Sequence, residues 1–190
     1  MKSVLIIGLL AVTTAQQSSV SRPSKVYLLH DDKRNAWCGY SDEKLWRKSV
    51  DEIEATQVAS VEFVGGHPIV IRVTTEDDPG VGDWAAYETY ELSQTGKVVS
   101  LERITNFLPN DAKRTEIFQR REGKLVRTGL SIKSLRSGRP TSAPDIWFLK
   151  FPLFETASAL PFSSLIDHAQ EFVGPNTHCV PTKESQPLAQ

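Results

Sequence analysis

Apolar and polar residues along the 190-residue chain change their period from one stretch to the next, and the period assigns the elements. Leu45, Trp46, Val50 and Ile53 recur at spacings of one, four and three, the stripe of a helix. The spacing predicts a helix near residues 41 to 55, with Ser41 as its cap and Asp42 and Glu43 in the first turn, where the helix dipole favours negative charge. From Val58 the period drops to two. Val61 and Phe63, then Ile69, Ile71 and Val73, alternate with polar neighbours around Gly65-Gly66, which predicts a two-residue hairpin turn. Pro68 has no amide donor and is expected at a strand start or on an edge.

Strands are further expected at Lys25 to Leu29, Tyr87 to Leu92, Lys97 to Phe107, Thr115 to Arg121 and Lys124 to Ile132. Two junctions echo one another: an aromatic strand enters at Tyr90 or Phe118, Gly96 or Gly123 turns the chain, and Lys97 or Lys124 begins the return. That repetition is the mark of an antiparallel meander. Asp77 to Asp83 and Ser134 to Asp145 are loops by their Gly, Pro and Ser content. Trp147, Leu149, Phe151 and Leu153 alternate as a strand would, and Leu165, Ala169, Phe172 and Val173 suggest a short helix stopped by Gly174 and Pro175. The expected fold is mainly β: a curved antiparallel meander or small barrel with one or two covering helices, the alternative being an α+β sheet packed on one helix.

The first residues add a compartment. Lys2 precedes an apolar run from Val4 to Val12 that is too short to span a bilayer, and Thr13 and Ala15 suit a signal peptidase site. The reading is a signal peptide over residues 1–15, a flexible lead-in over 16–24, a single β-rich domain over 25–180 and a mobile tail over 181–190, exported to a bacterial periplasm or the extracellular space. Such a compartment lets a disulfide persist, and Cys38 and Cys179 are the only two cysteines. The alternatives for them are free thiols or a bridge between chains.

Charge matters through its distribution. Residues 16–96 carry 8 basic and 14 acidic groups, 97–150 carry 12 and 5, and 151–190 carry 1 and 4. One meaning is mutual pairing across neighbouring strands; the other is a basic face for an anionic ligand. Arg103, Arg121, Lys124 and Arg127, with Trp147, are the candidate ligand-binding residues, together with Arg114 and Arg120 around the same hairpin. Arg120 and Arg121 point oppositely, so one face collects only part of the set. The overall balance gives no case for nucleic acid.

Chemistry is harder to find. The sequence has no phosphate-binding loop, nucleophile elbow, His-Glu-x-x-His, CxxC or dinucleotide fingerprint. Dispersed candidates are His30 with Asp32 and a ligand such as His67 or His168, calcium at Asp77, Asp78 and Asp83, and glycosidase carboxylates from Glu88, Glu91, Asp77 or Asp78. An ordinary polar strand end or solvated turn accounts for each of them as well. Trp37, Trp46, Trp84 and Trp147 are core residues or a stacking platform. No metal or cofactor is expected. The expected protein is a monomeric, non-catalytic envelope protein binding an apolar or anionic ligand on its sheet, with an anionic lipid, a glycan or an envelope protein as partner. Two alternatives are a structural or partner-binding accessory domain using an edge strand, guarded by Pro68 and charged edges, and a hydrolase with a dispersed carboxylate/His site.

Overall fold

The computed structural model describes residues 23–77, 83–142, 151–172 and 177–182. The expected signal peptide, the acidic loop at Asp78, the strand positions Trp147 and Leu149, and Val173, Gly174 and Pro175 lie outside them. Within the described residues the chain forms nine strands in one antiparallel sheet. They are β1 (Lys25–Asp31), β2 (Ala36–Tyr40), β3 (Gln57–Val64), β4 (His67–Glu76), β5 (Trp84–Leu92), β6 (Val98–Phe107), β7 (Ala112–Arg121), β8 (Lys124–Ser134) and β9 (His178–Pro181). Their spatial order is β8-β7-β6-β5-β4-β3-β1-β2-β9. The meander is therefore present, and its ends do not meet: the sheet is open rather than closed into a barrel. Two-residue turns carry the tight hairpins, with Gly65 and Gly66 at φ 58° and 80° and Glu122 and Gly123 at 49° and 85°.

Directly opposed residues share a face of an antiparallel sheet, so the registers trace its two surfaces. One row runs Gly39, Leu28, Ala59, Val73, Glu88, Arg103, Glu116 and Leu130. The next runs Val26, Val61, Ile71, Tyr90, Leu101 and Phe118. This inner face holds the main core, which the C-terminal segment covers with Leu160, Phe162, Leu165, Ile166 and Phe172. The opposite face meets α1 (Glu43–Ile53), whose Trp46, Val50 and Ile53 pack on Leu29, Cys38, Tyr40 and Val58. Each fully buried side chain of Leu or Phe size contributes about 1.5–3 kcal/mol, so these two layers stabilise the sheet from both sides.

Local chemistry corrects three sequence expectations. The cap of α1 is Asp42, not Ser41: Asp42 sits in extended backbone and its Oδ1 accepts from the amides of Lys44 at 2.7 Å and Leu45 at 3.0 Å. Phe151 to Leu153 form no strand; the Pro152 carbonyl accepts from the Arg103 side chain of the sheet rather than from a strand amide. The C-terminal helix is shorter than the periodicity suggests, with α2 confined to Ser163–Asp167 and a 3-10 turn at Ala169–Glu171. Two short strands, β2 and β9, carry no periodic signal long enough to be seen.

Cys38 and Cys179 are directly opposed on β2 and β9 and form a disulfide. It closes a loop 141 residues in sequence separation, worth up to about 5 kcal/mol on the chain-entropy account. Pro68 stands at the start of β4, inside the sheet, and guards no edge. The edges are guarded otherwise: β9 is four residues long and ends on Pro181, while β8 has a register shift opposite Ile117/Phe118 and is capped at its end by the following loop. There the Ser134 amide donates to Arg139 O at 2.8 Å and the Thr141 amide to Ile132 O at 3.2 Å.

Two outcomes follow from this packing. A Cβ on Gly39 would stand 2.6 Å from the Phe172 ring, so Gly39→Ala is expected to lower stability by about 1–3 kcal/mol in urea titrations of the oxidised protein. The second outcome concerns pH. Glu43 accepts from the Tyr27 hydroxyl at 2.7 Å and from Arg47, and the Tyr27 bond, with Arg47 second, holds its carboxyl below the ordinary range. Burial, with Glu43 beside it, pushes Tyr27 up to about 12, so it remains a donor. A carboxyl depressed in the folded state adds stability above its unfolded pKa and loses it as pH falls through the folded one. The urea midpoint should therefore drop less steeply between about pH 5 and pH 3 in Glu43→Gln than in the unaltered protein.

Candidate binding face

The basic residues singled out from the sequence separate onto two faces, as their alternation requires. Arg103, Arg114, Arg120 and Arg127 belong to the inner face, and all four are engaged. Arg103 is 5 % exposed. Its Nε lies 2.7 Å from Glu88 Oε1, its Nη2 donates to Pro152 O at 3.0 Å, and its guanidinium stacks over Phe118 and Phe151 at 5.7 and 5.2 Å. The Tyr90 hydroxyl donates to the other oxygen of Glu88 at 3.0 Å, and burial pushes that hydroxyl far above its ordinary range. Glu116, directly opposite Arg103, bonds Arg114 at 2.8 Å and Arg127 at 3.0 Å. Arg120 donates to the carbonyls of Val98 at 2.6 Å, of Gly123, and of Glu155 at 2.8 Å, and pairs with the Glu155 carboxylate.

This inner row is a clamp. Arg103 and Arg120 satisfy carbonyls of the irregular chain at residues 152–155, groups that a strand partner would otherwise have to bond. It also removes Glu88 from glycosidase chemistry, since Glu88 is committed to Arg103 and Glu91 lies on the opposite face, bonded by Ser100. Among the described residues the inner face is packed by its own side chains and by the covering segment. Trp147, proposed from the sequence as a binding residue, lies outside the described residues.

The α1 face differs. Its registers run Cys38, Leu29, Val58, Thr74, Tyr87, Ile104, Thr115 and Ser131 in one row and Arg72, Thr89, Glu102, Ile117 and Gly129 in the next. Helix α1 packs only at the β1–β3 end. Over β5–β8 no described element covers this face, and Tyr87, Ile117 and Val126 are about 40 % exposed. Arg121 and Lys124 lie here, directly opposite each other. So do Lys113 and Lys133, a second opposed pair that sequence reasoning missed. Like charges facing across a ladder repel. None of the four makes an ion pair with a described residue, although the Glu102 and Glu91 carboxylates stand further along the same face on β6 and β5. The strand periods were visible in the sequence, but the register that opposes Lys113 to Lys133 depends on the turn and on the bulge in β8.

The pairs that do form are mostly local. Of the ion pairs between described residues, only Arg103 with Glu88 and Arg120 with Glu155 join the basic block to its acidic neighbours. Pairing across strands thus accounts for part of the charge segregation and leaves the cations of β7 and β8 over.

Other candidate chemistry disperses. Among the described residues no three His, Cys, Asp or Glu side chains gather as a metal site. His168 bonds Glu171 at 2.8 Å, and Cys179 is in the disulfide, so it is no partner for His178 in catalysis. His30 is engaged from both sides, by Asp32 at 2.8 Å and Thr182 at 2.9 Å. Trp37 is core, Trp46 belongs to the α1 layer with its indole donating to Leu28 O at 3.0 Å, and Trp84 meets Phe151 edge-on at 5.7 Å. A groove of about 530 Å³ opens between the end of α1 and the sheet, lined among others by Glu54, Glu76, Trp84, Tyr87 and Asn106.

The clamp makes a double test possible. The side chains of Arg103 and Glu88 are 6 % and 11 % exposed, so Arg103→Met strands a buried carboxylate and is expected to cost about 3–5 kcal/mol in denaturant titrations. Glu88→Leu combined with Arg103→Met should cost less than Arg103→Met alone, since no unpaired charge remains. No family model, curated protein or solved structure matches the chain.

Proposed function

We propose that the protein is an exported binding domain that docks through the α1 face of β5–β8 onto an anionic lipid surface. The observation that carries this reading is the pair of opposed cations at either end of the β7–β8 ladder, Lys113 with Lys133 and Arg121 with Lys124, with exposed Ile117 and Val126 between them. Holding like charges opposite each other costs stability in isolation, and an anionic surface turns that cost into attraction. Each cation near such a surface contributes about 1 kcal/mol, so four give a weak, reversible and salt-sensitive association to which the apolar side chains add. The disulfide and the absence, among the described residues, of any helix long and apolar enough to cross a membrane agree with a protein that meets a bilayer from outside. The guarded edges favour a face over an edge strand as the contact, which ranks this reading above an accessory domain that adds a strand to a partner.

The test is co-sedimentation with phosphatidylglycerol vesicles at low salt, with phosphatidylcholine vesicles as control. Binding should be selective for the anionic vesicles, fall about tenfold or more in Lys113→Glu/Lys133→Glu and in Arg121→Glu/Lys124→Glu, and vanish near 0.5 M salt as charges are screened. Arg127→Gln should leave it unchanged, because Arg127 lies on the inner face with Glu116. Equal binding by the charge-reversed and unaltered proteins would overturn the reading.

A further inference from the structure

His30 lies on the inner face at the end of β1, opposite Trp37, and is 9 % exposed. Its Nδ1 is 2.8 Å from Asp32 Oδ1 and its Nε2 is 2.9 Å from the hydroxyl of Thr182, 152 residues away in sequence. The pairing of β9 with β2 and the Cys38–Cys179 bridge bring that hydroxyl in, and the Thr182 amide holds its position by donating to Asn35 O at 3.0 Å. Thr56 Oγ1 donates to the second oxygen of Asp32 at 3.1 Å, which fixes the carboxylate. The Trp37 ring, 5.4 Å from the imidazole, backs it.

The tautomer follows from these partners. An ionised carboxylate only accepts, so His30 Nδ1 carries a proton, and when the ring is neutral it presents the lone pair of Nε2 to the Thr182 hydroxyl. A hydroxyl donating to an imidazole that a carboxylate orients is the arrangement that activates an alcohol as a nucleophile. The reacting end is only partly open: the His30 side chain is 11 % exposed and Thr182 is half-buried, while Asp32 stands at the surface.

We propose that Thr182, His30 and Asp32 form a hydrolytic site for small, uncharged carboxylic esters, independent of the lipid-facing reading above. Thr182 Oγ attacks the ester carbonyl carbon and its proton passes to His30 Nε2. The bond to the alcohol breaks and the departing alkoxide takes that proton, leaving an acyl-Thr182 ester. Water then attacks the acyl carbon, gives its proton to Nε2, and the acid leaves as Thr182 regains the proton. Asp32 acts as a positioning residue that holds the ring and stabilises the imidazolium. The Asp32 carboxylate at the site disfavours acids as substrates.

The same bonds would also serve to fasten the end of β9, and the experiment separates the two roles. The oxidised full chain is mixed with p-nitrophenyl acetate, p-nitrophenolate release is followed, and the acetylated peptide is mapped by mass spectrometry. The expected result is a burst with acetyl on Thr182, absent in Thr182→Val, retained in Thr182→Ser, and slowed about 10²-fold or more in Asp32→Asn. A purely structural role predicts that Thr182→Val lowers the melting temperature while ester cleavage is unchanged. That result, or acetyl found only on lysines in protein whose circular dichroism matches the unaltered chain, would overturn the proposal.

Discussion

The fold depends on covering the inner face of an open sheet with chain that is itself largely irregular. A sheet whose ends do not meet exposes a broad apolar surface, and here Leu160, Phe162, Leu165 and Phe172 close it. An irregular segment brings polar backbone with it into that contact. Arg103 and Arg120 resolve the conflict by reaching from β6 and β7 to the carbonyls of Pro152 and Glu155, while the Val98 amide takes Glu155 O as well. Burying a guanidinium then requires an anion, and Glu88 supplies it from the facing position on β5. Charge in the core is thus a consequence of how the cover is attached. Within β9, the disulfide ties the chain that follows this cover to β2.

The other face is covered by half. Helix α1 spans the β1–β3 end, where Leu29, Cys38 and Val58 are apolar, and stops short of β5. Among the described residues no second long helix lies over the rest, and Tyr87, Ile117 and Val126 are at the surface among cations. Both sheet edges are short, bulged or capped, which turns any contact toward that face. Binding surface and structural core are therefore opposite sides of the same strands β7 and β8, and neighbouring residues such as Arg120 and Arg121 have unrelated tasks.

The legibility of the chain follows the range of the interactions involved. Periods of two and 3.6 are local, so the strands from Val58 to Ile132 and the helix at Leu45 to Ile53 were apparent, as were the Gly-Gly turn and the pairing of two cysteines. Elements held by distant partners were not. β2 and β9 owe their strand character to pairing with β1 and with each other, and Phe151 to Leu153 alternate without pairing as a strand, with Arg103 bonding the Pro152 carbonyl from the sheet. The predicted cap at Ser41 moved by one residue, a choice between adjacent oxygen-bearing side chains that backbone geometry makes.

For the candidate sites the division is similar. The residue types were in view: an excess of Arg and Lys between residues 97 and 150, and a histidine beside two aspartates at the end of the first strand. By itself the sequence determined the strand periods, the turns, the one possible bridge within the chain and the segregation of charge, because each depends on neighbours along the backbone or on simple composition. Tertiary structure alone decided that Arg103 faces inward to Glu88, that Lys113 stands opposite Lys133, and that Thr182 reaches His30, because register, edge order and chain crossing are set by contacts between residues far apart in sequence.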